Sequence, residues 1–214
     1  MAEIAIIDYG MGNLHSVAKA VNYVIDKNSK VKITSSLNDI RSSSHIIFPG
    51  QGAVSECMLN ISKMFSIEEF NILIKNKPFL GICMGLQVLM TSSVENNGVD
   101  CLNLFEGKVL SLESVLHGKK NQLKIPHMGW NNVQKKNNHV IWNNIDDDSY
   151  FYFVHSYFVE PRNDNLILAK TFYGIEFVSA IYNDNVVAVQ FHPEKSSKTG
   201  LKFLENFIKW DGCF

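Results

Sequence analysis

The sequence has few cysteines, little excess charge and no long apolar segment, and each shortage excludes a class of protein. Its 4 cysteines form no Cys-x-x-Cys pair, which argues against a zinc knuckle or a disulfide framework and favours a reducing compartment. The 20 Lys and Arg nearly balance the 21 Asp and Glu, so the basic excess of nucleic-acid-binding proteins is missing. No run reaches the roughly 20 apolar residues of a membrane span, and the segment Met1 to Asp8 has no basic residue and no long apolar stretch, so we expect no export signal. We therefore expect a cytoplasmic protein without nucleic-acid or membrane partners.

Linkers rich in proline, glycine or serine, internal repeats and low-complexity tracts are absent as well, which predicts one domain over residues 1–214. The first half alternates short apolar runs with amphipathic segments. It predicts strands at 4–7, 31–34, 45–48 and 79–82 and a helix at 14–25, with helical patterns after the third and fourth strands. This βαβ pattern implies a parallel sheet with right-handed crossovers.

From residue 106 onward the pattern changes to β-rich runs separated by Asn and Asp clusters. Strands are predicted at 108–112, 129–133, 150–154, 166–171, 177–182 and 186–191, and an amphipathic closing helix at 201–210. The expected fold class is α/β, with a mostly parallel central sheet flanked by helices and additional antiparallel strands in the C-terminal half.

The segment Gly81-Ile82-Cys83-Met84-Gly85-Leu86-Gln87 has the G-x-C-x-G form of a nucleophile elbow. Such an elbow is a strained turn from strand to helix, and it needs small residues on both sides of the nucleophile. The start of a helix also favours the thiolate form of a cysteine. A buried structural cysteine is the alternative, but the flanking strand and helix favour a catalytic Cys83.

A cysteine nucleophile needs a base, and His192 follows an apolar strand in Gln190-Phe191-His192-Pro193-Glu194. Glu194 is close enough along the chain to orient the imidazole and stabilise its protonated form. His155, in Val154-His155-Ser156-Tyr157, is the second candidate base; with no acid beside it, we expect it to line the site or to be structural. The remaining histidines, His15, His45, His117, His127 and His139, have no nearby nucleophile or supporting context.

Glycine-rich turns follow two of the predicted strands. Pro49-Gly50-Gln51-Gly52 lies where backbone N–H groups can point into a cleft, which suggests an oxyanion hole formed by the N–H groups of Gln51 and Met84. Gly10-Met11-Gly12 lacks the third glycine of a dinucleotide-binding fingerprint, because His15 stands at that position. We expect no cofactor and no metal ion.

The Cys83 and His192 segments together resemble the class I (triad) glutamine amidotransferases. Three further segments, Pro126-His127-Met128-Gly129-Trp130-Asn131, Tyr152 to Tyr157 and Gln190 to Ser196, are similar to the family of glutaminase subunits of imidazole glycerol phosphate synthase. The resemblance runs from Ile4 to the C-terminal helix. It implies a flavodoxin-like amidotransferase fold and hydrolysis of L-glutamine to glutamate and ammonia.

The resemblance also assigns roles to individual positions. It makes Cys83 the nucleophile, His192 the general base and acid, and Glu194 the orienting carboxylate. The residues expected to line the glutamine site are Gly50, Gly52, Gln87, Glu95, His155, Ser156 and Tyr157. An acid such as Glu95 suits the α-ammonium group of glutamine. The sequence departs from the family pattern at Gln51, where a small apolar residue is more usual, and at Val54, where Phe is common.

The resemblance implies a heterodimer with a (β/α)₈ cyclase that uses the ammonia to make imidazole glycerol phosphate and AICAR in histidine biosynthesis. The residues expected to face that partner are Met128, Trp130, Asn131 and Lys195. One alternative is a paralogue that supplies ammonia for amidination of a bacterial surface or flagellar sugar. A second alternative is a non-catalytic regulatory subunit of the same fold, although Cys83, His192 and Glu194 are all present.

Overall fold

In the computed structural model, which describes residues 2–116 and 123–213, helices and strands alternate in the first half and strands dominate the second. The strands are β1 (Glu3–Ile7), β2 (Lys30–Thr34), β3 (His45–Gly50), β4 (Phe79–Cys83), β5 (Ser92–Ser93), β6 (Val99–Asp100), β7 (Gly107–Ser111), β8 (His127–Lys135), β9 (Ser149–His155), β10 (Tyr157–Pro161), β11 (Ile167–Phe172), β12 (Glu176–Asn183) and β13 (Val186–Val189). The α-helices are α1 (Leu14–Val24), α2 (Leu37–Ser42), α3 (Val54–Met64), α4 (Ile67–Ile74), α5 (Met84–Gln87), α6 (Leu112–Val115) and α7 (Ser197–Lys209). Short 3-10 turns lie at Glu95–Asn97, Val140–Trp142, Asp164–Leu166 and Pro193–Lys195.

The strands form one mixed sheet whose main path runs β2-β1-β3-β4-β13-β12-β10-β7-β5-β6. Along this path, the neighbouring strands in the series β2-β1-β3-β4-β13 are parallel. The neighbouring strands in the series β13-β12-β10-β7 are antiparallel. Strand β11 pairs with β12 and β8, and β8 pairs with β9. The predicted fold class, a mostly parallel sheet with antiparallel strands in the C-terminal half, is confirmed.

Both faces of the parallel part of the sheet are covered. In β1, Ile4 and Ile6 belong to the apolar core on one face, whereas Ala5 and Ile7 belong to the core on the other. Helices α1 and α7 contribute Val21 and Phe203, among others, to the first core, and α3 and α4 pack into the second. This two-sided burial explains why the central strands are continuous apolar runs in the sequence. No helix in the described ranges is both long and apolar enough to span a bilayer.

The predicted elements differ from the structure mainly at their ends. The strand predicted through Leu112 ends at Ser111, whose side chain accepts a hydrogen bond from the N–H of Glu113 and so caps α6. The strand predicted through Phe191 ends at Val189, because the chain then turns toward β9, where the His192 N–H donates to the Tyr152 carbonyl. The helix after β4 is a single turn, and strand β10 was not predicted.

Candidate active site

The G-x-C-x-G segment folds as a sharp turn from β4 into α5. Cys83 has φ +55° and ψ −103°, a strained conformation for a residue with a side chain. A Cβ atom at Gly81 would lie 2.5 Å from the Gly85 carbonyl oxygen, and one at Gly85 would lie 2.0 Å from the Phe48 carbonyl oxygen. Both glycines are therefore required by close backbone contacts, as the sequence predicts.

The His192 side chain lies beside the elbow because β13 is parallel to β4, with Val189 paired to Ile82. The turn Pro193–Lys195 brings Glu194 back toward the ring, and Oε1 of Glu194 lies 2.8 Å from Nδ1 of His192. The two side chains are only 2% and 1% exposed. Nε2 of His192 has no hydrogen-bond partner among the described residues, so this nitrogen is free to exchange a proton with a reacting group.

Electrostatic interactions favour the protonated form of His192. Burial alone lowers the pKa of His192, but the charges of Cys83 and Glu194 outweigh burial and raise it to about 10. A protonated imidazole next to a thiolate, with a carboxylate behind it, is the arrangement that activates a cysteine nucleophile. The three residues predicted as a triad are thus brought together.

An open cavity of about 410 Å³ lies over Cys83. Its walls contain ten of the predicted site residues, together with Pro126 and Val154, whereas His192 and Glu194 are not part of its lining. The ten are Gln51, Gly52, Cys83, Met84, Gln87, Glu95, His155, Ser156, Tyr157 and Lys195. Gly50 lies beneath the cavity and pairs with Cys83 across β3 and β4. Pro126 and Val154 lie in segments that carry the family resemblance, but neither residue was predicted to line the site. Among the residues described, no group of three or more His, Cys, Asp or Glu side chains is placed to hold a metal ion.

The Glu95 carboxylate connects the cavity to the loop that follows β3. Its Oε2 accepts a 2.6 Å hydrogen bond from the Val54 N–H at the start of α3, a helix whose preceding residue, Ala53, offers no side-chain cap. One carboxylate oxygen therefore stabilises a helix end. We find no hydrogen bond to Oε1 within residues 2–116 and 123–213, so this oxygen can accept one from a cationic ligand.

The loop predicted to hold an oxyanion is shaped by glycines. A Cβ atom at Gly50 would lie 2.4 Å from Oη of Tyr9 and 2.7 Å from Cβ of Met84, so only glycine fits there. Gly52 has φ +98°, which favours glycine because of its backbone conformation. Gln51 lies between these two glycines and lines the cavity.

His155 is held in place by hydrogen bonds at both ring nitrogens. Its Nδ1 lies 2.8 Å from the Tyr157 carbonyl oxygen, and its Nε2 lies 2.9 Å from Nδ1 of His127. Burial lowers the pKa of His155 to about 3 and that of His127 to about 4, so both rings are neutral near pH 7. A neutral ring with both nitrogens engaged fits the predicted structural or site-lining role better than that of a base.

Two of the other histidines also have packing roles. His45 and His139 are buried, and the His45 ring contacts the Trp210 carbonyl oxygen through Nε2. His15 is exposed on α1. His117 lies outside the described residues.

The residues predicted to face a partner do not all share one surface. Met128 and Trp130 project from the same face of β8 and are 62% and 52% exposed. Tyr150 and Tyr152, on β9, extend this face, and Nζ of Lys195 lies 5.9 Å from the centre of the Tyr152 ring. The strand alternation could have identified both tyrosines.

The side chain of Asn131 lies on the opposite face of β8. Its Nδ2 lies 3.2 Å from Nε2 of His127 and 3.0 Å from the Phe172 carbonyl oxygen. The expectation that Asn131 faces the partner beside Trp130 therefore does not fit the period of two along a strand.

A profile of the family described as Glutamine amidotransferase class-I matches residues 5–210. The chain belongs to this family. Among solved structures, it resembles a putative GMP synthase component from Thermoplasma acidophilum, with a TM-score of 0.67 and 17% identity over 98% of this chain and 93% of that one. It also resembles PurLQS from Thermotoga maritima, with a TM-score of 0.67 and 16% identity over 98% of both chains. At these identities, the likeness establishes the fold alone.

Curated relatives give a more particular similarity. The chain is 48% identical over 209 residues to the imidazole glycerol phosphate synthase subunit HisH of Hydrogenovibrio crunogenus, covering 98% of this chain and 97% of the relative. It is 48% identical over 212 residues to the subunit of that name from Acinetobacter baylyi, covering 99% and 100%. The corresponding identity for Pseudomonas syringae pv. syringae is 45% over 212 residues, covering 99% of each. These matches confirm the resemblance that the sequence motifs indicated, and the chain is a glutamine amidotransferase.

Proposed function

We propose that this chain is the glutaminase subunit of an imidazole glycerol phosphate synthase. It hydrolyses L-glutamine through Cys83, His192 and Glu194 and passes the ammonia to a (β/α)₈ cyclase partner in histidine biosynthesis. The observation that carries the chemistry is the free Nε2 of His192 beside the strained Cys83 elbow, with Glu194 bound to the other ring nitrogen. The full-length similarity to HisH subunits supports the pathway.

The proposed reaction follows from the positions of these groups. The Cys83 thiolate attacks the side-chain amide carbon of glutamine, and the N–H groups of Gln51 and Met84 stabilise the oxyanion that forms. His192 gives its Nε2 proton to the leaving nitrogen, which departs as ammonia and leaves a γ-glutamyl thioester on Cys83. His192 then takes a proton from water, whose oxygen attacks the thioester. Collapse of that intermediate releases glutamate and restores the thiolate.

Substrate recognition uses the residues that line the cavity together with Cys83. The Glu95 oxygen that does not cap α3 pairs with the α-ammonium group of glutamine. The segment Ser156–Tyr157, together with Gln87 and Gly52, surrounds the rest of the amino acid. Glu95 also caps α3, the helix that follows the Gln51 loop. One carboxylate group therefore contacts both the substrate and the helix next to the oxyanion loop.

The partner docks on the β8–β9 face, which exposes Met128, Trp130 and Tyr150 beside Lys195. Aromatic residues and methionine are enriched in protein interfaces, and an exposed cluster of them is rare on a monomer. Lys195 lines the active-site cavity as well as this face, so the docked partner lies close to the site where ammonia forms. A closed passage there keeps ammonia from being protonated and diluted in water.

The chemistry is tested with a glutamine-analogue electrophile such as diazo-oxo-norleucine, followed by peptide mass spectrometry. We expect stoichiometric labelling at Cys83 together with loss of glutaminase activity. Cys213 is the internal control, since it is exposed and reports reaction that is not directed by the site, whereas Cys57 and Cys101 are buried. Labelling at any of these three with Cys83 unmodified would contradict the assignment.

The pathway is tested by complementation of a bacterium that lacks its own HisH subunit, grown without histidine and with limiting ammonia. The wild-type chain, expressed with its cognate cyclase, is expected to restore growth, and Cys83→Ala is not. Failure of the wild-type chain to restore growth, while it still hydrolyses glutamine, would favour the alternative of sugar amidination.

A further inference from the structure

The side chain of Gln190 contacts the sulfur of Cys83, and the proposed reaction gives this residue no role. Its Nε2 lies 3.5 Å from Sγ of Cys83, and its side chain is fully buried. We propose that Gln190 is a further catalytic residue, whose amide N–H donates a hydrogen bond to the Cys83 sulfur and stabilises the thiolate. This inference rests on the proposed function only in taking Cys83 as the nucleophile.

The sheet itself places Gln190 beside the sulfur. Val189 pairs with Ile82 in the parallel ladder between β13 and β4, so the next residues along the two strands, Gln190 and Cys83, are neighbours. The Gln190 N–H also donates a 2.9 Å hydrogen bond to the Ser179 carbonyl oxygen, which ties its backbone to β12. The backbone at Gln190 is therefore held by β4 on one side and by β12 on the other, which fixes the starting position of its side chain.

Gln87 fixes which end of the Gln190 amide faces the sulfur. Nε2 of Gln87 donates to the Tyr157 carbonyl oxygen and to Oε1 of Gln190, at 3.1 Å each. Because Oε1 of Gln190 accepts from Gln87, the NH₂ group is left to face Cys83. A flipped Gln190 amide would place two NH₂ groups against each other and a carbonyl oxygen against the sulfur.

A row of buried rings supports the Tyr157 carbonyl group from the other side. Neutral His155 donates from Nδ1 to this carbonyl oxygen and accepts at Nε2 from Nδ1 of His127. Nε2 of His127 in turn accepts from Nδ2 of Asn131. Every donor in the row points toward the Tyr157 oxygen, so that both of its lone pairs are used by His155 and Gln87. The orientation of Gln87, and through it that of Gln190, is fixed by this network.

Several ionisable groups also surround Cys83. They are His192 with Glu194 behind it, Tyr9 beneath the Gly50 loop, His155 from β9, and Glu95 and Lys195 in the cavity wall. Burial raises the pKa of Tyr9, so this hydroxyl stays neutral. An amide donor keeps its protons at every pH, so the contribution of Gln190 to thiolate stability is independent of the titration of these neighbours.

The test measures the pH profile of Cys83 alkylation by iodoacetamide in the full-length chain, read from the Cys83 peptide by mass spectrometry. Gln190→Met keeps the side-chain length but removes the donor, and we expect its profile midpoint to rise by about one pH unit, with alkylation about tenfold slower below the midpoint. Gln190→Glu keeps the shape and the acceptor for Gln87. It is expected to shift the midpoint further, because a negative oxygen opposes the thiolate. Gln134→Glu, on an exposed position of β8, is the matched control and should leave the profile unchanged.

Melting temperatures establish that each variant is folded. An unchanged midpoint in either folded Gln190 variant would overturn the proposal even if glutaminase activity fell, because Gln190 would then only fill space. Should Gln190→Met fail to fold, the isosteric Gln190→Glu decides the question. Failure of the proposed function has a different signature, which is the absence of labelling of wild-type Cys83 by the glutamine analogue.

Discussion

Nδ1 of His192 and Oε1 of Glu194 form a 2.8 Å hydrogen-bonded pair that is almost completely buried. Pro193, between the two residues, starts the 3-10 turn that folds the carboxylate back onto the ring. Burial lowers the pKa of a histidine, but the neighbouring Cys83 and, after it, this pairing with Glu194 raise the pKa of His192 to about 10. His155, in contrast, is buried without an acid and stays neutral.

The first prediction compares these two histidines. His192→Ala is expected to lower the glutaminase rate by about 10³-fold or more, because it removes the proton donor for the leaving ammonia. His155→Ala should lower it much less, since both nitrogens of His155 are engaged in structural hydrogen bonds. Glutaminase rates measured with saturating cyclase partner check this. Equal losses in the two variants would leave the base unassigned.

Local features of the site could be predicted from the sequence. The G-x-C-x-G elbow depends on residues within one turn of each other, and the His192–Glu194 pair spans two positions. The steric demand at Gly81 is also local, because its Cβ atom would lie 2.5 Å from the carbonyl oxygen of Gly85 in the same turn. Such features are encoded by short-range sequence and need no knowledge of the register between distant strands.

The hydrogen-bond network around Tyr157 could not be predicted in the same way. The His127–His155 contact depends on the antiparallel register of β8 and β9, which pairs these two residues across 28 positions of sequence. Gln87 and Gln190 are 103 positions apart and meet only because β13 inserts next to β4. The orientation of Asn131, in contrast, could have been predicted. Side chains alternate along β8, so Asn131 and Trp130 lie on opposite faces of the strand.

The second prediction concerns the elbow glycine. Gly85→Ala should lower the free energy of unfolding by about 3 kcal/mol or more, because its Cβ atom would lie 2.0 Å from a backbone oxygen of Phe48. Gly98→Ala is the control: its Cβ atom meets nothing within 4 Å, and only the φ of +111° is unfavourable, at about 1 to 3 kcal/mol. Urea unfolding measures both. A Gly85→Ala variant as stable as Gly98→Ala would show that the contact relaxes.

The third prediction is a loss of stability in acid. Burial lowers the pKa of His127 to about 4, below the value of about 6.5 in an unfolded chain. The unfolded state therefore binds more protons between these values, and stability is full above pH 6.5 and falls as the pH drops toward 4. Each such histidine contributes a slope of up to about 1.4 kcal/mol per pH unit. His127→Asn should reduce this slope when urea unfolding is measured at pH 7 and pH 5.

The fourth prediction concerns the partner face and the Gln51 loop. An uncoupled glutaminase wastes glutamine, so we expect the isolated chain to be nearly inactive and to be stimulated by a cyclase carrying its own ligand. Reorientation of the peptide between Gly50 and Gln51, which brings the Gln51 N–H into the oxyanion hole, is the expected switch. One such donor contributes roughly 3 kcal/mol in the transition state, or about two orders of magnitude in rate.

Substitutions on that face should therefore reduce stimulation while leaving the free chain stable. Trp130→Ala is expected to weaken partner binding by about 30-fold, as for an aromatic residue at the centre of an interface, and Lys195→Ala should also reduce the stimulated rate. Tyr23→Ala is the matched control, because Tyr23 is an aromatic residue on α1, away from β8 and β9, and is 78% exposed against 52% for Trp130. Glutaminase rates are titrated with cyclase plus ligand, and melting temperatures are measured on each variant without the cyclase. Full activity of the free chain, or stimulation that responds to Tyr23→Ala as much as to Trp130→Ala, would contradict placing the interface on the β8–β9 face.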